Sequence, residues 1–302
     1  MAFITIEGIS KTFNKGNLHA LNDVSVQIDR GELFGFIGPD GAGKTTLFRI
    51  MTTLMLADSG NIQIDGLDVV LDYKLLRKQF GYMPGKFSLY LDLTVEENLN
   101  FYASVFNTDM TTNYHLIKDI YIQLEPFKNR RAGQLSGGMK QKLALCCALI
   151  HEPKFLVLDE PTTGVDAVSR KEFWGMLQRL KQKGMTIIVS TPYMDEAAQC
   201  DRIALMQNGN ILDIGHPDAI CDRFDRPLFA VQGDDMLLLL KVLREFELTE
   251  ACFAFGDSHH LRLTKGNQED VIQFLNSKGL GHANVTKIKA NIEDTFMQLM
   301  TR

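Results

Sequence analysis

Hydrophobic and polar positions follow two different strand patterns in the first two thirds of the chain. Apolar and polar side chains alternate in three segments, at residues 3–9, 24–29 and 62–69. Continuous apolar runs rich in β-branched and aromatic residues occur in three others, at residues 33–37, 155–158 and 186–190. Alternation is typical of antiparallel strands with one solvated face, and continuous runs are typical of parallel strands buried on both faces. The pattern predicts an α/β core with an antiparallel β subdomain.

A helical pattern interrupts this alternation between about residues 86 and 150. Apolar residues recur three and four positions apart in residues 95–106, 115–124 and 139–150. This spacing places the apolar side chains on one face of a helix. The segment is therefore predicted to be a helical insertion within the α/β core.

The pattern changes again near Arg226 and Pro227, after a short strand at residues 211–215 and a helix that runs to about Phe224. Three segments, residues 228–233, 252–256 and 261–264, read as strands, and residues 269–279 read as a helix. We therefore expect two domains, residues 1–225 and residues 226–302. The second is a small α+β appendage.

Composition limits the classes of function. Hydrophobic residues make up 45% of the 302 residues, and no apolar stretch approaches the roughly 20 residues that a membrane-spanning helix needs. The first residues lack the features of a secretory signal, so we expect the protein to remain in the cytoplasm. A net charge of −5 gives no basic excess, so nucleic acid is not expected as a partner. The five cysteines lack metal-ligand spacing and are expected to be reduced thiols.

The sequence GPDGAGKTT at residues 38–46 matches the phosphate-binding P-loop. Glycines in this loop allow backbone N–H groups to turn toward the phosphates of ATP, and the following helix adds the positive end of its dipole. Lys44 is expected to reach the β- and γ-phosphates, and the Thr45 hydroxyl is expected to bind Mg²⁺. The predicted ATP-binding residues are Gly38, Pro39, Asp40, Gly41, Ala42, Gly43, Lys44, Thr45 and Thr46.

Two acids, Asp159 and Glu160, end the buried run at residues 155–158, about 115 residues after Lys44. Adjacent residues at the end of a strand point in different directions. Asp159 can therefore hold Mg²⁺ while Glu160 faces the γ-phosphate and polarises the attacking water. An acidic pair alone is common in structural roles. Its combination with a P-loop predicts a catalytic site in which Glu160 is the catalytic carboxylate.

A third motif, LSGGM, occupies residues 135–139, with the members Leu135, Ser136, Gly137, Gly138 and Met139. A serine at a helix start followed by glycines can bind an anion, although an ordinary serine-capped helix gives the same pattern. The order P-loop, LSGGM and acidic strand resembles the ATP-binding subunits of ABC transporters over about residues 3–225. LSGG is the signature sequence of that family.

The resemblance implies a P-loop NTPase core and a head-to-tail pair of such domains, with each signature completing the ATP site of the other P-loop. It also implies a separate transmembrane permease subunit and a location on the inner face of the cell membrane. Phe13 falls where the family stacks an aromatic ring on adenine, although a half-buried aromatic at a strand end remains an alternative. Asp166 matches the loop that crosses the dimer interface.

Two positions depart from the family pattern. Gly85 stands where the family has glutamine, and Pro192 stands where it has histidine. Glycine removes an amide that would position Mg²⁺ or water, and proline has neither a side-chain donor nor a backbone N–H. We therefore expect a partly degenerate site that binds ATP without efficient turnover.

Three functions remain open at this point. One is the energy subunit of a transporter, resembling the multidrug and ABC-2 exporter type, whose signature completes the hydrolytic site of a different partner chain. Another is a homodimeric transporter ATPase with two slow sites. The third is a soluble family member that acts on ribosomes or DNA. The sequence gives no transported substrate.

Overall fold

The computed structural model describes residues 2–13, 18–86 and 88–301, so Phe87 of the predicted helical insertion lies outside the described residues. The chain divides into two compact units, Met1–Pro217 and Asp218–Arg302. Within the described ranges no helix has both the length and the apolar character needed to cross a membrane.

Strands and helices alternate along the first unit. Its strands are β1 (Ile4–Phe13), β2 (Leu18–Ile28), β3 (Leu33–Ile37), β4 (Ser59–Ile64), β5 (Leu67–Asp68), β6 (Phe80–Met83), β7 (Phe155–Asp159), β8 (Thr186–Thr191), β9 (Arg202–Gln207) and β10 (Asn210–Gly215). Its helices are α1 (Lys44–Met51), α2 (Tyr73–Leu76), α3 (Val95–Val105), α4 (Met110–Tyr121), α5 (Gly137–Leu149) and α6 (Ala167–Gln182), and α7 (Pro217–Cys221) spans the division between the units.

A six-stranded sheet in the order β10-β9-β3-β8-β7-β6 forms the centre of the first unit. Strands β3, β7 and β8 are buried at every residue, which is why their sequences are mainly apolar. These three strands run parallel to one another, so their carboxyl ends lie at one edge of the sheet. That edge carries the P-loop after β3, the two acids after β7, and Pro192 after β8.

A second sheet, in the order β2-β1-β4-β5, is antiparallel. Its buried residues belong to the same hydrophobic cluster as those of β3, β7 and α1. Phe3 and Phe155 join the two sheets edge to face, with ring centroids 5.5 Å apart. The predicted antiparallel subdomain thus shares one core with the central sheet.

Helices α3, α4 and α5 form the predicted insertion. Thr94 caps α3 with a reciprocal pair of hydrogen bonds to Glu97, a capping box that fixes where the helix begins. Asn98, which is fully buried, holds the preceding loop through four bonds. Its side chain accepts from the Tyr90 backbone N–H and donates to the carbonyl groups of Tyr90, Leu93 and Thr94.

The second unit contains strands β11 (Leu228–Gln232), β12 (Thr249–Phe255), β13 (Ser258–Leu263) and β14 (Asn284–Lys287) and helices α8 (Met236–Arg244), α9 (Gln268–Ser277) and α10 (Ile292–Leu299). All pairings are antiparallel, in the order β12-β13-β11-β14. This βαββαβ order is the ferredoxin-like arrangement, extended here by α10. The unit is the α+β appendage that the sequence predicts.

The division between the units falls at residue 217, whereas the sequence pattern places it at residue 225. Contacts within the second unit explain the difference. The Asp222 carboxylate lies 2.7 Å from Lys289 Nζ, and Asp225 accepts a 2.6 Å hydrogen bond from Gln298 of α10. These residues therefore group with the strands and helices that follow them.

Replacing Asn98 with alanine should lower the free energy of unfolding of the first unit by about 2–4 kcal/mol, because it removes the four hydrogen bonds that this fully buried side chain makes to the preceding loop. Urea unfolding followed by the fluorescence of Trp174, the one tryptophan in the sequence, reports on this unit. Asn100→Ala, on the exposed side of the same helix, is the matched control and should change this value by less than about 0.5 kcal/mol. Equal effects of the two substitutions would contradict the assigned role of Asn98.

Candidate functional site

The P-loop connects β3 to α1 and is shaped by close backbone approaches. Gly43 has a φ of +104°, and a Cβ atom there would lie 2.4 Å from the Ala20 carbonyl oxygen, so only glycine fits. Asp40 and Gly41 are exposed, whereas Gly38 and Ala42 are buried. Helix α1 begins at Lys44, and the first N–H groups of a helix have no partner within the helix. The loop therefore has the form of an anion-binding cradle.

The Lys44 side chain is almost fully buried, with 3% of its surface exposed. Its ammonium donates to the carbonyl oxygens of Gly38 at 2.7 Å and Pro39 at 3.0 Å. The Glu160 Oε1 atom lies 3.2 Å from the same Nζ. The structure thus brings the P-loop lysine and the predicted catalytic acid residue together.

Asp159 lies at the end of β7 beside the start of α1. Its Oδ1 atom accepts a hydrogen bond from Ser190 Oγ at 2.6 Å and one from Thr45 Oγ1 at 3.2 Å. Burial, together with the charge of Asp159, raises the pKa of Tyr82 to about 12. A carboxylate and a hydroxyl oxygen side by side are hard ligands of the type that Mg²⁺ prefers, so Thr45 and Asp159 fit this ion.

Glu160 adopts a left-handed backbone conformation, with a φ of +49°. Ser190 holds it there, because the Glu160 N–H lies 3.1 Å from the Ser190 carbonyl oxygen and 3.0 Å from its Oγ. Ser190 therefore contacts both acids, a role that our sequence reasoning missed. The contact arises because Asp159 and Ser190 are paired in the parallel register of β7 and β8. A hydroxyl at the end of a buried strand is the only sequence signal for it.

Both positions that depart from the family pattern lie beside these groups. A Cβ atom at Gly85 would lie 3.3 Å from the Asp159 carbonyl oxygen and 3.5 Å from its Oδ2. Pro192 directly follows Thr191, whose carbonyl oxygen accepts a 3.2 Å hydrogen bond from the Gly38 N–H at the start of the P-loop. A side chain at position 85 would therefore lie next to Asp159, and position 192 directly follows a residue that is bonded to the P-loop.

The LSGGM segment begins α5, where Ser136 Oγ accepts a 3.3 Å hydrogen bond from the Met139 N–H. The serine-capped helix is therefore present. A Cβ atom at Gly138 would lie 2.6 Å from Ser169 Oγ, so this glycine allows α6 to approach closely. Ser136 and Gly137 remain exposed, whereas Leu135 is buried.

Asp166 caps α6 by accepting from the backbone N–H groups of Val168 and Ser169 at 3.1 and 3.0 Å. These hydrogen bonds, chiefly those with Ser169, lower the pKa of Asp166. The same Ser169 lies against Gly138. The signature segment and the predicted dimer loop are therefore neighbours in one chain.

Phe13 is half-buried at the end of β1, and residues 14–17 beyond it lie outside the described residues. The neighbouring residues are fixed by Asp58. Its exposed carboxylate accepts from Lys11 Nζ at 2.6 Å and from Thr12 N and Oγ1 at 2.7 and 2.8 Å. These bonds lower the pKa of Asp58 to about 2, the Lys11 bond being the largest cause. Asp58 therefore positions the strand end that carries Phe13.

Sequence comparison finds a family model described as "ABC transporter" that matches residues 21–163. The chain is 38% identical over 304 residues to the "Probable multidrug ABC transporter ATP-binding protein YbhF" of Escherichia coli (strain K12), covering 99% of this chain but 52% of that protein. It thus spans about half the length of that relative. It is 32% identical over 312 residues to the "Nod factor export ATP-binding protein I" of Burkholderia lata, covering 100% of this chain and 98% of that one.

Comparison of folds finds similar solved structures. One is cbiO1 from Clostridium perfringens, described as part of the ABC transporter complex cbiONQ, with a TM-score of 0.65, 27% identity, and coverage of 74% of this chain and 91% of that one. Another is the dimeric ATP-binding cassette MJ0796 bound to ADP and Pi, with a TM-score of 0.64, 25% identity, and coverage of 70% and 98%. The α/β fold predicted from the sequence is confirmed.

Replacing Asp58 with asparagine should remove a pH-dependent part of the stability. The pKa of Asp58 is lower in the folded chain than in the unfolded chain. The stability that it contributes is therefore present above about pH 4 and is lost as the pH falls toward 2. The difference in unfolding midpoint between the wild type and Asp58→Asn should thus be larger at pH 5 than at pH 2.5. A difference independent of pH would be inconsistent with the ion pair.

Proposed function

The chain belongs to the ATP-binding subunits of the ABC transporter family, and on that premise we propose that it drives export through a separate transmembrane permease while hydrolysing ATP slowly at its own P-loop. The observation that carries the proposal is the convergence of Lys44, Asp159 and Glu160 at one edge of the central sheet. The chain spans only about half the length of its multidrug relative, so transport by the whole assembly is part of the proposal.

ATP binds in this proposal through the P-loop, residues 38–46. The Lys44 ammonium transfers from the Gly38 and Pro39 carbonyl oxygens to the phosphate oxygens, which are stronger acceptors because they are charged. The adenine ring stacks on Phe13, whose position Asp58 supports through Thr12. Thr45 and Asp159 would hold Mg²⁺, which when bound neutralises charge on the phosphates.

Glu160 supplies the chemical step by polarising the attacking water. Its backbone is fixed by Ser190, and its carboxylate keeps one fifth of its surface exposed. A carboxylate that is oriented but still accessible to water suits this role. We assign Glu160 as the catalytic residue.

Gly85 and Pro192 explain the slow turnover that we propose. Glycine at position 85 places no amide beside Asp159, and proline at position 192 places no hydrogen-bond donor beside the P-loop. Loss of one positioned donor in a transition state typically lowers the rate about 10²–10³-fold. ATP binding depends on other groups, so it persists.

A second ATP-binding domain completes the site. The exposed start of α5 at Ser136 and Gly137 offers backbone N–H groups and the positive end of the helix dipole to an anion. In a head-to-tail pair this segment caps the ATP bound to the other domain, and the exposed Asp166 lies at the same interface. The solved relative MJ0796 is described as dimeric. The partner is either a second copy or a different subunit that supplies the missing donors.

An apolar groove of about 440 Å³ on the first unit is the surface that we assign to the permease. It is lined by strand β6 and the adjoining loop and by helices α3 and α5, including Tyr82, Leu89 and Tyr102. Leu54 and Val105, at 58% and 57% exposure, extend it with apolar surface. Exposed apolar surface of this kind marks a protein interface. The proposed location is the inner face of the cell membrane.

Action on ribosomes or DNA without transport is the alternative. It is not favoured, because the full-length match is named for Nod factor export and the more identical relative is named as a multidrug transporter subunit.

Lys44→Ala should lower ATP affinity at least about 100-fold, because it removes a buried charge that contacts the phosphates. Calorimetric titration of ATP into the purified protein measures this directly. Lys183→Ala, at an exposed lysine paired with Asp119, is the control and should bind like the wild type. Unchanged affinity in Lys44→Ala would refute the site.

Gly85→Gln combined with Pro192→His should raise ATP hydrolysis at least tenfold and leave ATP affinity nearly unchanged, because both substitutions restore polar groups next to the site. Phosphate release at saturating ATP measures the rate. Gly85→Ala with Pro192→Ala controls for backbone effects and should stay slow. If the glutamine and histidine variant also stays slow, the cause of slow turnover lies elsewhere.

A further inference from the structure

Glu196 is a buried carboxylate to which neither the motifs nor the proposed function assign a role. It lies in the short 3₁₀ helix Met194–Gln199, and 4% of its surface is exposed. Its oxygens accept from Thr162 Oγ1 at 2.8 and 3.1 Å and from Thr191 Oγ1 at 2.5 Å. Arg170 NH1 lies 3.7 Å from Glu196 Oε1.

The three partners of Glu196 belong to three different segments of the site. Thr162 is two residues after the catalytic Glu160, and Thr191 immediately precedes Pro192. Arg170 lies one helical turn beyond Asp166. One carboxylate therefore joins the catalytic loop, the turn at position 192, and the helix that follows the predicted dimer loop.

Further contacts restrain the same turn. The Tyr193 N–H donates to Thr191 Oγ1 at 3.1 Å, and the Arg170 guanidinium lies 4.4 Å from the centroid of the Tyr193 ring. Thr191 Oγ1 can serve both neighbours, because a hydroxyl donates one hydrogen bond and accepts others. Pro192 therefore lies between Thr191, which is hydrogen-bonded to Glu196, and Tyr193, which packs against Arg170.

A purely stabilising role explains this arrangement poorly. Burying a carboxylate costs free energy, and well-packed apolar residues often stabilise a core equally well. The geometry gives the carboxylate a use that an apolar side chain could not have, because an apolar side chain cannot accept hydrogen bonds from the two threonine hydroxyls.

We propose that Glu196 is a positioning residue that fixes the Glu160 loop and the turn at position 192 relative to each other and to the dimer loop. The inference rests on the proposed function, since it concerns the orientation of the group that acts on ATP. Glu196 does not itself contact the phosphates in this account. Its loss therefore acts on turnover rather than on ATP affinity.

Single-turnover hydrolysis, with enzyme in excess over labelled ATP, tests the proposal and is measurable even at a slow site. Glu196→Ala should lower the rate about tenfold and leave the Kd for ATP within about twofold. Glu196→Gln should fall between this variant and the wild type, because its amide keeps one acceptor oxygen. Thr162→Val, which keeps the side-chain shape and removes one contact, should lower the rate by a smaller factor.

Glu32→Ala is the matched control. Glu32 is also a buried glutamate in the first unit, with an arginine partner, Arg202, at 3.3 Å and a backbone donor, Asp29 N, at 2.7 Å. It precedes β3 at the opposite end of that strand from the P-loop. Glu32→Ala should lower the melting temperature but leave the single-turnover rate unchanged when measured well below that temperature.

Two results would overturn the inference: wild-type rates in both Glu196→Ala and Thr162→Val, or an equal loss of rate in Glu32→Ala. Either result on a chain whose wild type binds and hydrolyses ATP leaves the proposed function intact. A wild-type chain that does not bind ATP would overturn the proposed function and this inference together. The ATP titration, made on the same preparation, distinguishes these cases.

Discussion

The proposed nucleotide site is built around one buried cation, the ammonium group of Lys44. An ammonium removed from water needs acceptors, and here the Gly38 and Pro39 carbonyl oxygens and the Glu160 carboxylate supply them. The loop carbonyls can reach Nζ only if the chain curls around it, which the tight approach of Gly43 to Ala20 permits. The Lys44 ammonium thus holds the P-loop through two carbonyl oxygens and contacts the Glu160 carboxylate, which follows β7. The two carbonyl oxygens are also the groups that the phosphates of ATP would replace.

The central sheet supplies the remaining geometry. Because β3, β7 and β8 are parallel neighbours, the residues that follow them meet at one edge of the sheet although they are far apart in the sequence. Ser190 holds Asp159 at the end of β7 and Glu160 just after it. Glu196 holds Thr162 beyond these acids and Thr191 at the end of β8. Gly85 lies beside Asp159, and Pro192 follows Thr191, whose carbonyl oxygen accepts a hydrogen bond from the P-loop. We propose that the residues at these two positions slow ATP hydrolysis while the groups that bind ATP remain.

Local signals in the sequence predicted the P-loop, the acidic pair, the helical insertion and the antiparallel subdomain. Contacts between distant residues could not be read in this way. The roles of Ser190 and Glu196 depend on the pairing of β7 with β8, which no local pattern specifies. The boundary near residue 217 depends on bonds from Asp222 and Asp225 to the C-terminal part of the chain. Likewise the apolar residues 236–240 do not indicate that helix α8 belongs to a ferredoxin-like unit. That arrangement is defined by the order of the strands in the sheet, which no local pattern specifies.

The most direct test of the account is to measure ATP affinity and steady-state ATP hydrolysis on one preparation of the purified chain, with Glu160→Gln beside it. We expect stoichiometric ATP binding by both proteins and a wild-type turnover below about 0.1 s⁻¹, roughly 10²-fold under the median enzyme rate. A turnover near 10 s⁻¹ that Glu160→Gln abolishes would contradict the account. It would show that glycine at position 85 and proline at position 192 are compatible with full catalysis.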